Sequence, residues 1–142
     1  QQYYRKQIGI LSPNETHKKE NPEISIEEKA EHEFVIKVRE IIEANFNNYT
    51  FSVEQVCKLL FMSHSQLHRK LYALIDCSPN KFIRIVRLNK SKELLTNHSL
   101  SIATVALECG YNDPGYFTRV FKQEFGITPQ EWRQSSSEFN SK

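Results

Sequence analysis

The chain is short of the parts from which common enzyme classes are built. It has four glycines, and no Gly-rich loop that would cradle a phosphate. No serine stands in a nucleophile elbow, and no Cys/His arrangement pairs a thiolate with a base. The three cysteines, Cys57, Cys77 and Cys109, are odd in number and form no CxxC pair. That argues against a disulfide framework or a zinc site and for reduced core thiols. His64 and His68 stand at i and i+4 without a third ligand nearby, so neither a metal nor any other cofactor is expected. No apolar run approaches the roughly 18 residues of a membrane span, and no signal peptide is visible. A cytoplasmic location and no membrane contact are therefore the expectation, and no enzymatic activity is expected. Alternating strand patterns are absent too.

What remains is ordinary globular material: 142 residues, 39% hydrophobic and 25% charged, enough for one domain or two small ones. The net charge is only +2, but it is unevenly spread. From Lys58 to Lys92 there are eight Lys or Arg against the single acid Asp76, whereas residues 15–43 hold nine Glu. A polyanionic partner would therefore meet the later part of the chain.

Residues 1–32 read as a lead segment and linker, polar and Glu-rich with two prolines in "LSPNETHKKENPEISIEEKAEH". Residues 33–142 read as the folded domain. Phe34, Val38, Ile41, Ile42 and Phe46 form a first helical stripe. Ser52 and Ser63 look like N-caps of the next two helices, and Pro79 suits the first turn of a longer one. Ser101 caps a further short helix, and Asp113 with Pro114 opens the one after it. The expected fold class is all-α, with about seven helices.

The pattern repeats. A shift of 49 residues carries Ser52, Val53, Val56, Cys57 and Leu60 onto Ser101, Ile102, Val105, Ala106 and Cys109. A shift of 50 carries Leu67, Arg69, Leu71, Ser78, Pro79 and Phe82 onto Phe117, Arg119, Phe121, Thr128, Pro129 and Trp132. Each copy is a short capped helix, a tight turn and a second helix, which is the helix-turn-helix outline. The first copy covers about residues 52–75 and the second about 101–125, with a linking helix at about 79–96. At 1.5 Å per residue that linker is about 27 Å long, a suitable size for presenting two helices to grooves about 34 Å apart.

On a helical wheel, Leu67, Leu71 and Leu74 point inward, leaving Ser65, His68, Arg69 and Tyr72 outside. In the second copy Phe117, Phe121 and Phe125 point inward, leaving Gly115, Tyr116, Thr118, Arg119 and Lys122 outside. Each outer face carries an Arg two residues after its first apolar anchor. Small residues around an Arg suit entry into a major groove, where Arg bonds guanine O6 and N7 together. Ser52 and Ser101 head helices whose free amides suit phosphate, and Lys81, Arg84, Arg87, Lys90 and Lys122 suit phosphate by charge.

The stretches "SPNKFIRIVRLNKSKELL" and "SIATVALECGYNDPGYFTRVFKQEFGITPQEWR" closely resemble the DNA-binding domain of the AraC/XylS family of bacterial transcription regulators. The resemblance runs from about Phe51 to Arg133. It implies two helix-turn-helix units joined by a long helix, with double-stranded promoter DNA as partner. Carried across by position, the base-reading residues are Ser65, His68 and Arg69, then Gly115, Thr118 and Arg119. It also implies contact with RNA polymerase and a homodimer of the full-length protein. Two departures stand out: Phe61 and Asp76 occupy places where the family usually has Gly, and Asp tolerates a left-handed backbone better than Phe. Gly115 has no side chain with which to read a base edge. The opening "QQYYRKQIGILSP" is similar to the segment found after the receiver domain of two-component regulators, including hybrid sensor proteins of Bacteroidetes. It reads as the interior of a longer protein whose receiver is phosphorylated on Asp. The rival reading is an all-helical module that binds another protein through its basic face.

Overall fold

A computed structural model of the protein describes residues 25–140, with side chains through Ser137. The lead-segment resemblance at residues 1–13 lies outside the described residues. Seven helices are present and, among the described residues, no strand: α1 (Ile26–Asn45), α2 (Val53–Leu60), α3 (His64–Ile75), α4 (Pro79–Leu95), α5 (Ile102–Glu108), α6 (Pro114–Phe125) and α7 (Pro129–Asn140). None is long and apolar enough to cross a membrane. The chain divides into two compact units. Of the described residues, the first comprises those up to Asn45 and Phe51–Val86; the second comprises Phe46–Thr50 and those from Arg87 onward.

In the first unit, α1 begins well inside the stretch expected to be linker. The signal for that start is local: Ser25 Oγ accepts from the Glu28 amide at 3.1 Å, and Glu27 and Glu28 sit in the positive first turn. Val35, Val38 and Ile42 of α1 are buried against Val53 and Val56 of α2, Leu67 and Leu71 of α3, and Phe82 and Ile85 of α4. Phe34 and Ile41 pack at the edge of this core. Ser63 and Gln66 form a reciprocal capping box at the head of α3, with the Gln66 amide 3.1 Å from Ser63 Oγ and the Ser63 amide 2.9 Å from Gln66 Oε1. The turn before it is closed by Phe61 in the left-handed region (φ 55, ψ 42), with its side chain 96% exposed. Phe61 thus accepts the conformation that glycine would take without strain. Asp76 does the same at the far end of α3 (φ 53).

The second unit is built around rings. Tyr111, Phe117, Phe121 and Phe125 pass contacts along α6 at centroid distances of 5.4, 5.8 and 4.7 Å. Leu88 and Leu95 of α4 and Val105 and Ala106 of α5 complete the core. Asp113 caps α6 by accepting from the Gly115 and Tyr116 amides at 2.9 and 3.3 Å, with Pro114 at the first helical position. Gly110, at φ 85, closes α5 where a Cβ would lie 2.3 Å from the Phe46 carbonyl oxygen. The spacing pattern therefore gives Phe46 to the wrong element: it lies past the end of α1 and packs on this second core.

The repeat reaches further back than the matching residues of the two copies suggest. Thr50 donates from its amide and hydroxyl to Asn48 Oδ1 at 3.0 and 2.7 Å, and Ser99 does the same to Asn97 Oδ1 at 3.1 and 2.6 Å. An arginine then grips each loop from behind. Arg87 donates to the Phe46 and Asn48 carbonyls at 3.3 and 2.9 Å, and Arg133 to those of Leu95 and Asn97 at 2.9 and 3.4 Å.

Candidate nucleic-acid interface

Each helix-turn-helix places one helix with a buried apolar stripe and a bare outer face. In α3, Leu67 and Leu71 are fully buried, which turns Ser65, His68 and Arg69 to solvent. His68 stacks on Tyr72, with centroids 5.0 Å apart and an interplanar angle of 29°. Among the described residues, no hydrogen bond or ion pair takes up the Arg69 guanidinium. A shallow surface groove of about 490 Å³ runs beside it, lined by Phe61, Met62, Gln66, Arg69 and Lys70.

In α6, Phe117 and Phe121 are fully buried, and Gly115, Tyr116, Arg119 and Lys122 are exposed. Thr118 differs from the wheel expectation. It is half-buried, and its hydroxyl donates to the Pro114 carbonyl at 3.0 Å, leaving only lone pairs to offer. Gly115 is open to solvent; a Cβ there would meet only Asp113 Oδ1, at 3.3 Å. Arg119 lies with its guanidinium carbon 5.8 Å from the centre of the Tyr116 ring.

The phosphate candidates separate into two kinds. Lys81 and Lys122 are exposed and Arg84 is half-buried. Lys90 is half-buried, with Nζ 4.0 Å from Glu93 Oε2 and 5.9 Å from the Phe46 ring centre. Arg87 is corrected. Its guanidinium is committed to the Phe46 and Asn48 carbonyls, and burial pulls its pKa below the ordinary value. Half-buried, it clamps the loop after α1, and the end of the guanidinium that meets the Asn48 carbonyl lies at the surface. The spacing that flags it cannot reveal this, because its partners are some forty residues away in sequence. Ser52 heads α2, where the Gln55 side chain accepts from the Ser52 amide. Ser101 caps α5 by accepting from Thr104 N at 3.0 Å, although at seven residues α5 has a small dipole.

No group of three or more His, Cys, Asp or Glu among the described residues is placed to hold a metal. The three cysteines are buried free thiols, and burial, reinforced by Glu108 and Glu93, pushes Cys109 up to about 12. Lys92, half-buried, sits 3.6 Å over the Phe125 ring, and burial lowers its pKa.

Two capped helix-turn-helix units with an exposed Arg at the same place in each define a tandem helix-turn-helix domain of the DNA-binding class. The Helix-turn-helix domain family matches residues 56–135, and the chain belongs to it as an AraC-type DNA-binding domain of transcription regulators. It is similar to Histidine kinase P4 of Formosa agariphila, 30% identical over 102 residues that make up 72% of this chain and 7% of that protein. It is 30% identical to the HTH-type transcriptional activator RhaR of Salmonella dublin over 95 residues, 67% of this chain and 34% of that one. Among solved structures, the C-terminal domain of AraT, a response regulator from Geobacillus stearothermophilus, superposes with a TM-score of 0.66 at 27% identity. That match covers 70% of this chain and 83% of the AraT domain. The chain thus spans about a third or less of the full-length relatives it matches.

Proposed function

We propose that the chain binds double-stranded promoter DNA sequence-specifically by placing α3 and α6 in successive major grooves. The observation that carries this is the pair Arg69 and Arg119: equivalent in the repeat, exposed, and each projected by a helix whose opposite side is fully buried. Ser65, His68 and Arg69 read bases in the first unit. In the second, Arg119 does most of the reading, Thr118 offers an acceptor, and Gly115 lets the backbone come close. Lys81, Arg84, Lys90 and Lys122 meet phosphates, together with the helix N-termini at Ser52 and Ser101.

The regulatory context is part of the same proposal. A histidine kinase and a response regulator among the similar proteins support a role as output domain beneath a phosphorylated receiver. Similarity to a transcriptional activator supports contact with RNA polymerase, and dimerisation of the full-length protein would place two such domains on one operator. The test begins with duplexes selected by the chain from a random pool. If about six phosphates are neutralised, log K falls with log salt at a slope near −5. A slope near zero on the selected duplex would reject DNA binding in favour of a protein-binding module. In the full-length protein, operator affinity that ignores phosphorylation would reject receiver control.

A further inference from the structure

We infer that Tyr116 is a positioning residue that aims Arg119, and so sets the base preference of α6. The inference rests on the reading of Arg119 as a base contact. α6 has little else with which to discriminate, because Gly115 lacks a side chain and the Thr118 hydroxyl proton is spent on Pro114. The aim of one flexible side chain therefore decides how well the helix specifies. An exposed Arg loses rotamer freedom when it is fixed on a base, and a side chain held beforehand loses less.

Tyr116 supplies the fixing surface. It stands one turn before Arg119 on the same face, as residues three apart on a helix do. Its ring lies under the guanidinium at 5.8 Å, within the range of a cation–π contact. The ring itself has a core neighbour: Tyr111, only 7% exposed, meets it at 6.1 Å with a 52° tilt, and Tyr111 in turn packs on the buried Phe117 at 5.4 Å. A core ring thus steadies a surface ring, which steadies the arginine. Tyr116 remains 46% exposed, more than a ring placed only to fill the core would be. The first unit has a counterpart in the His68–Tyr72 stack, where an exposed tyrosine again braces a base-reading side chain.

The experiment measures binding of the full chain to a duplex selected from a random pool, and to every single-base variant of it, at one salt concentration. The proteins are wild type, Tyr116→Phe, Tyr116→Leu, Tyr116→Gln, Arg119→Ala and the double variant Tyr116→Leu/Arg119→Ala. Arg119→Ala is expected to weaken the selected duplex about tenfold or more and to flatten preference at one base pair. Tyr116→Leu and Tyr116→Gln are expected to lose about three- to fivefold, with the flattening at that same base pair. Tyr116→Phe keeps the ring and should stay within about twofold of wild type, and the double variant should be no worse than Arg119→Ala. If Leu fails to fold, the Gln variant carries the test. Equal loss in Tyr116→Phe and Tyr116→Leu would make the hydroxyl a contact of its own and overturn the inference. So would a double variant whose losses multiply, or a Tyr116→Leu loss equal on all sequences. If Arg119→Ala leaves every base preference intact, the reading of Arg119 itself fails first.

Discussion

Replacing Phe61 with glycine should stabilise the protein, an unusual outcome for the loss of a large hydrophobic side chain. Phe61 sits at φ 55, ψ 42, where the Cβ of an L-residue crowds the following carbonyl at a cost of roughly 1–2 kcal/mol. Glycine removes that cost but adds backbone freedom to the unfolded chain, returning about 0.5–1 kcal/mol. The usual penalty for deleting a phenylalanine is nearly absent, because the ring is 96% exposed. The net gain is then about 0.5–1 kcal/mol, which for a domain of this size raises the melting temperature by roughly 2–6 °C. Urea denaturation followed by circular dichroism should show a higher midpoint with an unchanged slope. Phe61→Ala is the control: it deletes the ring but keeps the Cβ, so its midpoint should stay close to wild type. A glycine variant no more stable than wild type, or an alanine variant that gains as much as glycine, would refute the strain argument.

Four further outcomes rest on the geometry. Gly126→Ala should cost about 1 kcal/mol, since at φ 82 only the backbone is strained and nothing lies within 4 Å, whereas Gly110→Ala should cost about 3 kcal/mol because its Cβ also meets the Phe46 carbonyl at 2.3 Å; thermal melts compare the two. Arg87→Ala should cost about 2–3 kcal/mol by stripping two carbonyls of their donors, with the salt slope of DNA binding unchanged, while Arg84→Ala should reduce that slope by about 1 with little effect on stability. Ser63→Ala should cost about 1 kcal/mol in urea denaturation by opening the capping box of α3. Cys109, moved from 9.0 to about 12, keeps its proton in the folded state where the unfolded chain gives it up. Its contribution is therefore flat below about pH 9 and lost as pH rises toward about 12, so Cys109→Ala should show a shallower alkaline decline than wild type.

The range of each interaction decides whether it is legible in the sequence. Caps are settled within four residues, so Ser63, Ser101 and the Asp113–Pro114 pair can be placed by inspection, and each caps as expected. The apolar stripes of α3 and α6 are settled within three turns, and the outward positions of Arg69 and Arg119 come from them. The start of α1 is equally local, yet Ser25 and Glu28 carry a capping signal that the surrounding polar, Pro-containing composition obscures. Phe46 and Arg87 are a different case. Phe46 continues the spacing of the α1 stripe, yet the helix stops at Asn45 and the ring joins another core. Arg87 belongs by spacing to a basic helix face, yet its partners are two carbonyls in the loop after α1. A charge count cannot separate a cation that meets solvent from one that closes a loop, because the deciding acceptors are main-chain atoms with no sequence signature. The same consideration bears on the second helix-turn-helix, where Arg133 repeats the clamp on Leu95 and Asn97. Two arginines that look like surface charge thus brace the loops leading into Ser52 and Ser101. The charge left to meet DNA is smaller than composition suggests, and it is spread over α3 (Arg69, Lys70), α4 (Lys81, Arg84) and α6 (Arg119, Lys122).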